Sequence, residues 1–251
     1  MRYPGRFIYS LIPGIVGLFS IDFNTTHSSL QANGTLYQKP VDSADIIIDK
    51  YINALGGKEK LESIHSIYME GSLLVRGQKI SSKTWIINNT ASRSESVNTG
   101  FTQWSIVRAD SAWSYNPRRG QKFPEPWPLD RIKIARFGLD IAGPLVDYKK
   151  KGFTVEYKGI EQIEGADTYK IEEKLNDTIT KTFYIDPDSY LIVRERSKYT
   201  TPNRVNYSNN DYSNYQKTAE GYIFPMEIGN LKYSKIEINI PIHNYLFIPK
   251  K

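Results

Sequence analysis

The chain of 251 residues contains no cysteine and only three histidines. Without thiols there is no disulfide to staple the fold, no thiolate nucleophile and no amino-terminal cysteine to carry a lipid, so stability must come from a buried core. His27, His65 and His243 are too few for a His-rich metal cluster. A Ser-His-Asp site would have to use His65 or His243, and no Gly-x-Ser-x-Gly turn presents a serine to either. The glycine patterns that cradle nucleotide phosphates are absent as well. Glu172-Glu173 and the Asp186/Asp188 pair read as a wet strand face and a turn, and neither is assigned chemistry. No catalytic residue, metal or cofactor is expected. The formal charge of +6 is spread along the chain against 27 acids, with Lys149-Lys150-Lys151 the one basic block, which is the distribution of a solvated surface. Eighteen tyrosines could stack on bases, yet no nucleic-acid signature accompanies them, and nucleic acid is not an expected partner.

Long hydrophobic runs are missing too. Phe7 to Ile21 is apolar but broken by Pro13, Gly14 and Gly17, too short and interrupted for a membrane span, and it follows the basic Arg2 and Arg6. The pattern predicts a signal peptide over residues 1–32. Cleavage is expected between Ser20 and Asn33; Ala32 is a candidate last residue although Leu30 fits poorly before it, and an uncleaved anchor is the alternative. Residues 33–42 read as a flexible leader and 43–251 as a single domain.

What the chain does contain is strand after short strand. Ser43 is placed to cap a helix carrying Ile47, Tyr51, Ala54 and Leu55 and stopped by Gly56-Gly57; a helical turn over 58–64 turns Leu61 and Ile64 inward. Alternation then puts Ile67, Met69, Leu73 and Val75 on one strand face, and Gly77-Gln78 turns into a second strand through Trp85 and Ile87. Further strands are read over 101–108 and 112–115. Later, Tyr169, Ile171 and Leu175 face opposite to Thr168, Lys170, Glu172 and Lys174, and Ile179, Phe183 and Ile185 continue the meander. Tyr199 to Asn210 reads as a long polar hairpin tip. About nine to eleven strands result, more than a flat open sheet holds without curling. The fold class is mainly β: a strongly curved antiparallel sheet with an amino-terminal helix.

One segment breaks the alternation. Over residues 127–152, Leu129, Ile132, Ala135 and Leu139 recur at helical spacing, Gly143 stops the run, and Pro144 opens a second short helix with Leu145, Val146 and Tyr148. Two short amphipathic helices need a surface to cover, so the insertion reads as a lid over the sheet, or as the cap of an ordinary core. Aromatics in strands are core by default, but Trp85, Trp104, Trp113 and Trp127, together with Leu129, Ile132, Phe137, Leu139, Leu145 and Val146, could equally line a hydrophobic cavity under that lid.

Asp110-Ser111-Ala112-Trp113-Ser114-Tyr115-Asn116-Pro117 resembles a strand-turn of periplasmic lipoprotein carriers of the LolA/LolB type, with Ser111 where they carry glycine. Tyr184 to Ile192 resembles their strand-turn-strand. Ala54-Leu55-Gly56-Gly57, the run from Gly143 to Gly152, and the closing Ile240-Pro241-Ile242 to Leu246-Phe247 are similar to outer-membrane lipoprotein-sorting proteins, so the resemblance spans about Ala44 to Lys250. It implies an incomplete β-barrel closed by helices, holding acyl chains of lipoproteins or other lipids. It also implies a periplasmic monomer, itself no lipoprotein, that meets sorting partners at the inner and outer membranes. None of Arg118, Arg119, Arg131 and Arg136 matches the family's lid-latching arginine by motif. The alternative is an envelope interaction module whose interior is simply filled.

Overall fold

The computed structural model describes residues 8–12, 15–19, 43–75, 77–201 and 204–250. The expected leader and cleavage region lie outside them; Ile8–Ile12 (β1) and Ile15–Phe19 (β2) pair antiparallel. No helix among the described residues is long and apolar enough to cross a membrane.

The first helix, Ala44–Ala54 (α1), begins where Ser43 Oγ accepts the Ile46 N–H at 3.4 Å, and ends where Gly56 and Gly57, both at positive φ, turn the chain back. Gly57 N–H donates to Ile52 O at 3.0 Å. Its Ile47, Ile48, Tyr51 and Ile52 are buried, each such side chain contributing roughly 1.5–3 kcal/mol of apolar transfer. A short helix, Lys58–Glu62 (α2), follows and buries Leu61.

Two meanders make up the rest. The first contains Ser66–Val75 (β3), Gln78–Ile87 (β4), Ala91–Asn98 (β5), Phe101–Arg108 (β6), Ala112–Tyr115 (β7) and Glu125–Pro126 (β8). The second contains Thr154–Ile163 (β9), Ala166–Lys174 (β10), Ile179–Ile185 (β11), Ile192–Thr201 (β12), Arg204–Lys217 (β13), Ile223–Ile228 (β14) and Leu231–Ile238 (β15). Their first and last strands join, β3 against β15, to give, among the described residues, one curved antiparallel sheet of thirteen strands whose edges, β8 and β9, do not pair. The sheet is therefore open, as an incomplete barrel is, and no closed barrel forms.

The strand number exceeds the expectation because polar strands hide from hydrophobic alternation. In β5 the side facing Ile86 is Ser92, Ser94 and Ser96. The expected polar hairpin tip is instead the paired body of β12 and β13. Val75, expected inward, is 40% exposed at the strand end. The insertion also departs from two helices. It contains one α-helix, Leu129–Ala135 (α3), a 3-10 turn over Arg136–Leu139, and then only turns through residue 152. Gly143 and Asp147 both take positive φ, 86° and 52°, and such left-handed positions cannot continue the helix Pro144 was expected to open.

The main core lies on the sheet's inner face. There α1 packs with Ile141, Leu145 and Val146 of the insertion onto Ile67, Met69, Ile171, Phe183 and Ile185.

Candidate ligand-binding face

The register separates the sequence-derived candidates by face. Ile106 pairs with Trp113 and Val107 with Ala112, so along β6 and β7 alternate residues point to opposite sides. Val107 and Ala112 take the inner side and pack with Trp127, Ile132, Ala135 and Leu139 of the insertion. Trp104, Trp113 and Trp85 take the outer side with Ile106 and Ala91. There they are covered by Ile242, Leu246 and Phe247 of the carboxy-terminal segment. Arg93 stacks over Trp104 at 4.7 Å while its Nη1 donates to Leu246 O at 3.0 Å, and Arg108 Nη2 donates to Phe247 O at 2.9 Å. The structure thus does not gather the four tryptophans into one lining. Leu129, on the apolar spacing, is 62% exposed.

The remaining candidates trace the insertion across the inner face. Phe137, with Ile134 and Phe153, packs on Leu175, Ile179 and Tyr199 at one end of β10 to β12. Leu145 and Val146 are buried in the main core. From β6 and β7 to β10 to β12, the insertion therefore bridges both meanders.

Polar contacts fasten it. Asn89 N–H donates to Leu139 O at 2.8 Å, and Ile141 N–H donates to Asn88 Oδ1 at 3.0 Å, both in the β4–β5 turn. Lys58 of α2 meets Asp147 at 2.5 Å, while Tyr148 and Lys149 reach Asp45 of α1 at 2.6 and 3.0 Å. These bonds hold the Asp147 and Asp45 carboxyls below the usual carboxylate range. Of the four arginines weighed as a latch, Arg131 is the half-buried one. Its guanidinium lies 3.3 Å over the Trp127 ring, and burial brings its pKa down to about 10.

Beneath the insertion lies a buried polar group that includes one residue read from its charge as solvent-facing. Glu173, expected on a wet face, is fully buried: it shares the inward parity of Ile171 and Leu175. It sits across from Lys181, which sits across from Ser197, which sits across from Ser208. Lys181 Nζ is 3.0 Å from Glu195 Oε1, which also accepts the Ser197 hydroxyl at 2.7 Å; Tyr212 OH donates to Oε2 at 3.1 Å. Among the described residues neither Glu173 oxygen has a hydrogen bond, and burial pushes its pKa up to about 8. The signal was present as charges at inward positions between apolar neighbours. Among the described residues no group of three or more His, Cys, Asp or Glu is placed to hold a metal.

No family model matches the chain, and no curated protein does. Solved structures do. A LolA superfamily protein from Nitrosomonas europaea superposes with a TM-score of 0.51 at 12% identity, over 83% of this chain and 98% of that one. A DUF1329 family protein from Desulfovibrio piger superposes with a TM-score of 0.50 at 13% identity, over the same shares. At such identities the likeness is one of fold, and the fold is LolA-like.

Proposed function

We propose that this protein is an exported periplasmic carrier for acylated ligands, without catalytic activity, that sorts lipoproteins towards the outer membrane and holds their acyl chains against the inner face of the sheet. The observation that carries this reading is the construction of the cover. The first half of the insertion, Trp127 to Leu139, covers the inner face with a seven-residue helix and a 3-10 turn and rests on two small apolar clusters separate from the main core, while Ile141, Leu145 and Val146 anchor its second half in that core. An acyl chain of about twelve methylenes gains roughly 10 kcal/mol on leaving water. The insertion side chains in those clusters, Trp127, Ile132, Ala135, Leu139, Ile134 and Phe137, stand to lose a comparable amount. Loading is then an exchange of cover for cargo, near balance, which is what a carrier that must also unload requires. A LolA-like fold is consistent with this role.

Leu139→Asp tests it. The leucine is buried in the Val107 cluster, so a charge there weakens the cover. The variant should bind a fluorescent fatty-acyl probe more readily than wild type while unfolding at lower denaturant, and lipids copurifying with wild type should be identifiable by mass spectrometry. If neither protein binds the probe at micromolar concentration while both remain folded by circular dichroism, the interaction module replaces the carrier. For export, amino-terminal sequencing of the periplasmic protein should start between Ser20 and Asn33; protein beginning at Met1 and pelleting with membranes would mean an anchor.

A further inference from the structure

The row Glu173, Lys181, Ser197, Ser208 crosses four adjacent strands at one level. It runs beside the apolar group Leu175, Ile179 and Tyr199 on which the insertion rests. Every member of the row is buried. With Glu195 beside the row the charges do not balance, because two buried carboxyls, Glu173 and Glu195, stand near the one row ammonium, Lys181, which bonds Glu195. Glu195 takes that ammonium and two hydroxyls besides, whereas Glu173 has no hydrogen bond among the described residues. The other nearby ammonium, Lys151, is held by Asp140 at 2.5 Å and Gly143 O at 2.8 Å. A buried carboxyl without donors is among the least favourable groups a protein can hold, and a cation bearing N–H groups is what completes it. A carboxylate or phosphate would instead face two acids across one lysine.

We propose that this row is a head-group site for an amphiphile carrying a protonated amine, with Glu173 as its counter-ion and the acyl part lying along Leu175 and Ile179. The inference rests on the carrier reading, since an amphiphile must pass beneath the insertion. Lys181 and Lys151 favour the Glu173 anion, while Glu195, Asp140 and above all burial oppose it, so near neutral pH the empty site keeps its proton. Amine binding then converts the carboxyl to carboxylate and releases that proton to solvent; no other bond is made or broken.

The test uses the full chain with dodecylamine, dodecanol and dodecanoate, which share one tail. Wild type should bind the amine at least about tenfold more tightly than the alcohol, the gain expected of a hydrogen bond to a charged partner, and the carboxylate most weakly. Glu173→Gln should erase the amine preference and leave the alcohol unchanged. Titration calorimetry in two buffers of different ionisation enthalpy should show proton release with the amine in wild type, a readout that needs no variant. An amine that binds no better than the alcohol, or that binds without proton release, overturns the head-group site and leaves the carrier reading standing. If none of the three binds wild type or Leu139→Asp, both folded, the carrier reading falls and this inference with it.

Discussion

Glu173 and Lys181 face each other across two strands, and each makes a distinct demand on stability. Glu173 titrates at its ordinary value of 4.5 in an unfolded chain and at about 8 in the fold, so between these values the folded protein holds a proton that the unfolded chain has lost. Its contribution is therefore intact below about pH 4.5 and declines as pH rises towards 8. Urea midpoints of wild type should fall over that window relative to Glu173→Gln, which keeps the shape and cannot ionise; parallel curves would mean that the carboxyl is solvated. Among the described residues, Lys181 is the ammonium bonded to the buried Glu195. Lys181→Met should cost about 3–5 kcal/mol by stranding that carboxylate, and adding Glu195→Leu should recover much of it, because it is breaking a buried pair, rather than lacking one, that is expensive. Equal losses in the single and double variants would contradict this.

The carboxy-terminal segment from Ile242 to Phe247 is a strap on the outer face, the side away from the insertion. It buries Phe247 against Trp104, and two arginines pin its carbonyls. Phe247→Ala should cost about 3–5 kcal/mol, the usual loss for a buried aromatic. Removing residues 242–250 should shift tryptophan emission to the red, since Trp85, Trp104 and Trp113 lose their cover together. Unchanged emission would show that the strap does not shield them. The insertion is the counterpart on the inner face, but its first half, Trp127 to Leu139, rests on small clusters, while Ile141, Leu145 and Val146 tie its second half into the main core. Displacing that first half therefore costs less than displacing α1, whose buried face is continuous with the main core.

The whole molecule depends on one seam. The first strand of the first meander, β3, pairs with the last strand of the second, β15, and among the described residues no other strand pair links the halves. At Gly71 the two backbones come close: an added Cβ would stand 2.4 Å from Lys232 O and 3.0 Å from Tyr233 Cα, beside a bulge between Tyr233 and Lys235. Backbone cannot yield as a side-chain tip can. Gly71→Ala should therefore destabilise by about 1–3 kcal/mol, as overpacking does. Amide exchange should speed up in β4 and β12 alike, because both halves share the seam; acceleration confined to the first meander would show that the halves open independently.

Much of this architecture was legible locally. Ser43 and Gly56-Gly57 mark the ends of α1 because capping depends on one or two residues and their own backbone angles. Tyr169, Ile171, Ile179, Phe183 and Ile185 declare their inward face through period-two alternation, and the missing cysteine excluded thiol and disulfide chemistry outright. The polar strand β5 was not legible, since serines carry no apolar signal and their inward direction is visible only once Ile86 and Val107 stand beside them. Nor was Glu173: charge argued for water, parity argued for the core, and only the neighbouring strand with Lys181 resolves the conflict. Alternation also says that Trp104 and Val107 point to opposite sides, but not which side meets the insertion and which the carboxy-terminal strap. By itself the sequence determined the order of strands, the first helix and its caps, and the point where the meander is interrupted, because those follow from backbone preference and hydrophobic period within a few residues. The tertiary structure alone decided the β3–β15 seam, the use of each sheet face and the burial of the acid–lysine row, because each depends on side chains brought together from distant parts of the chain.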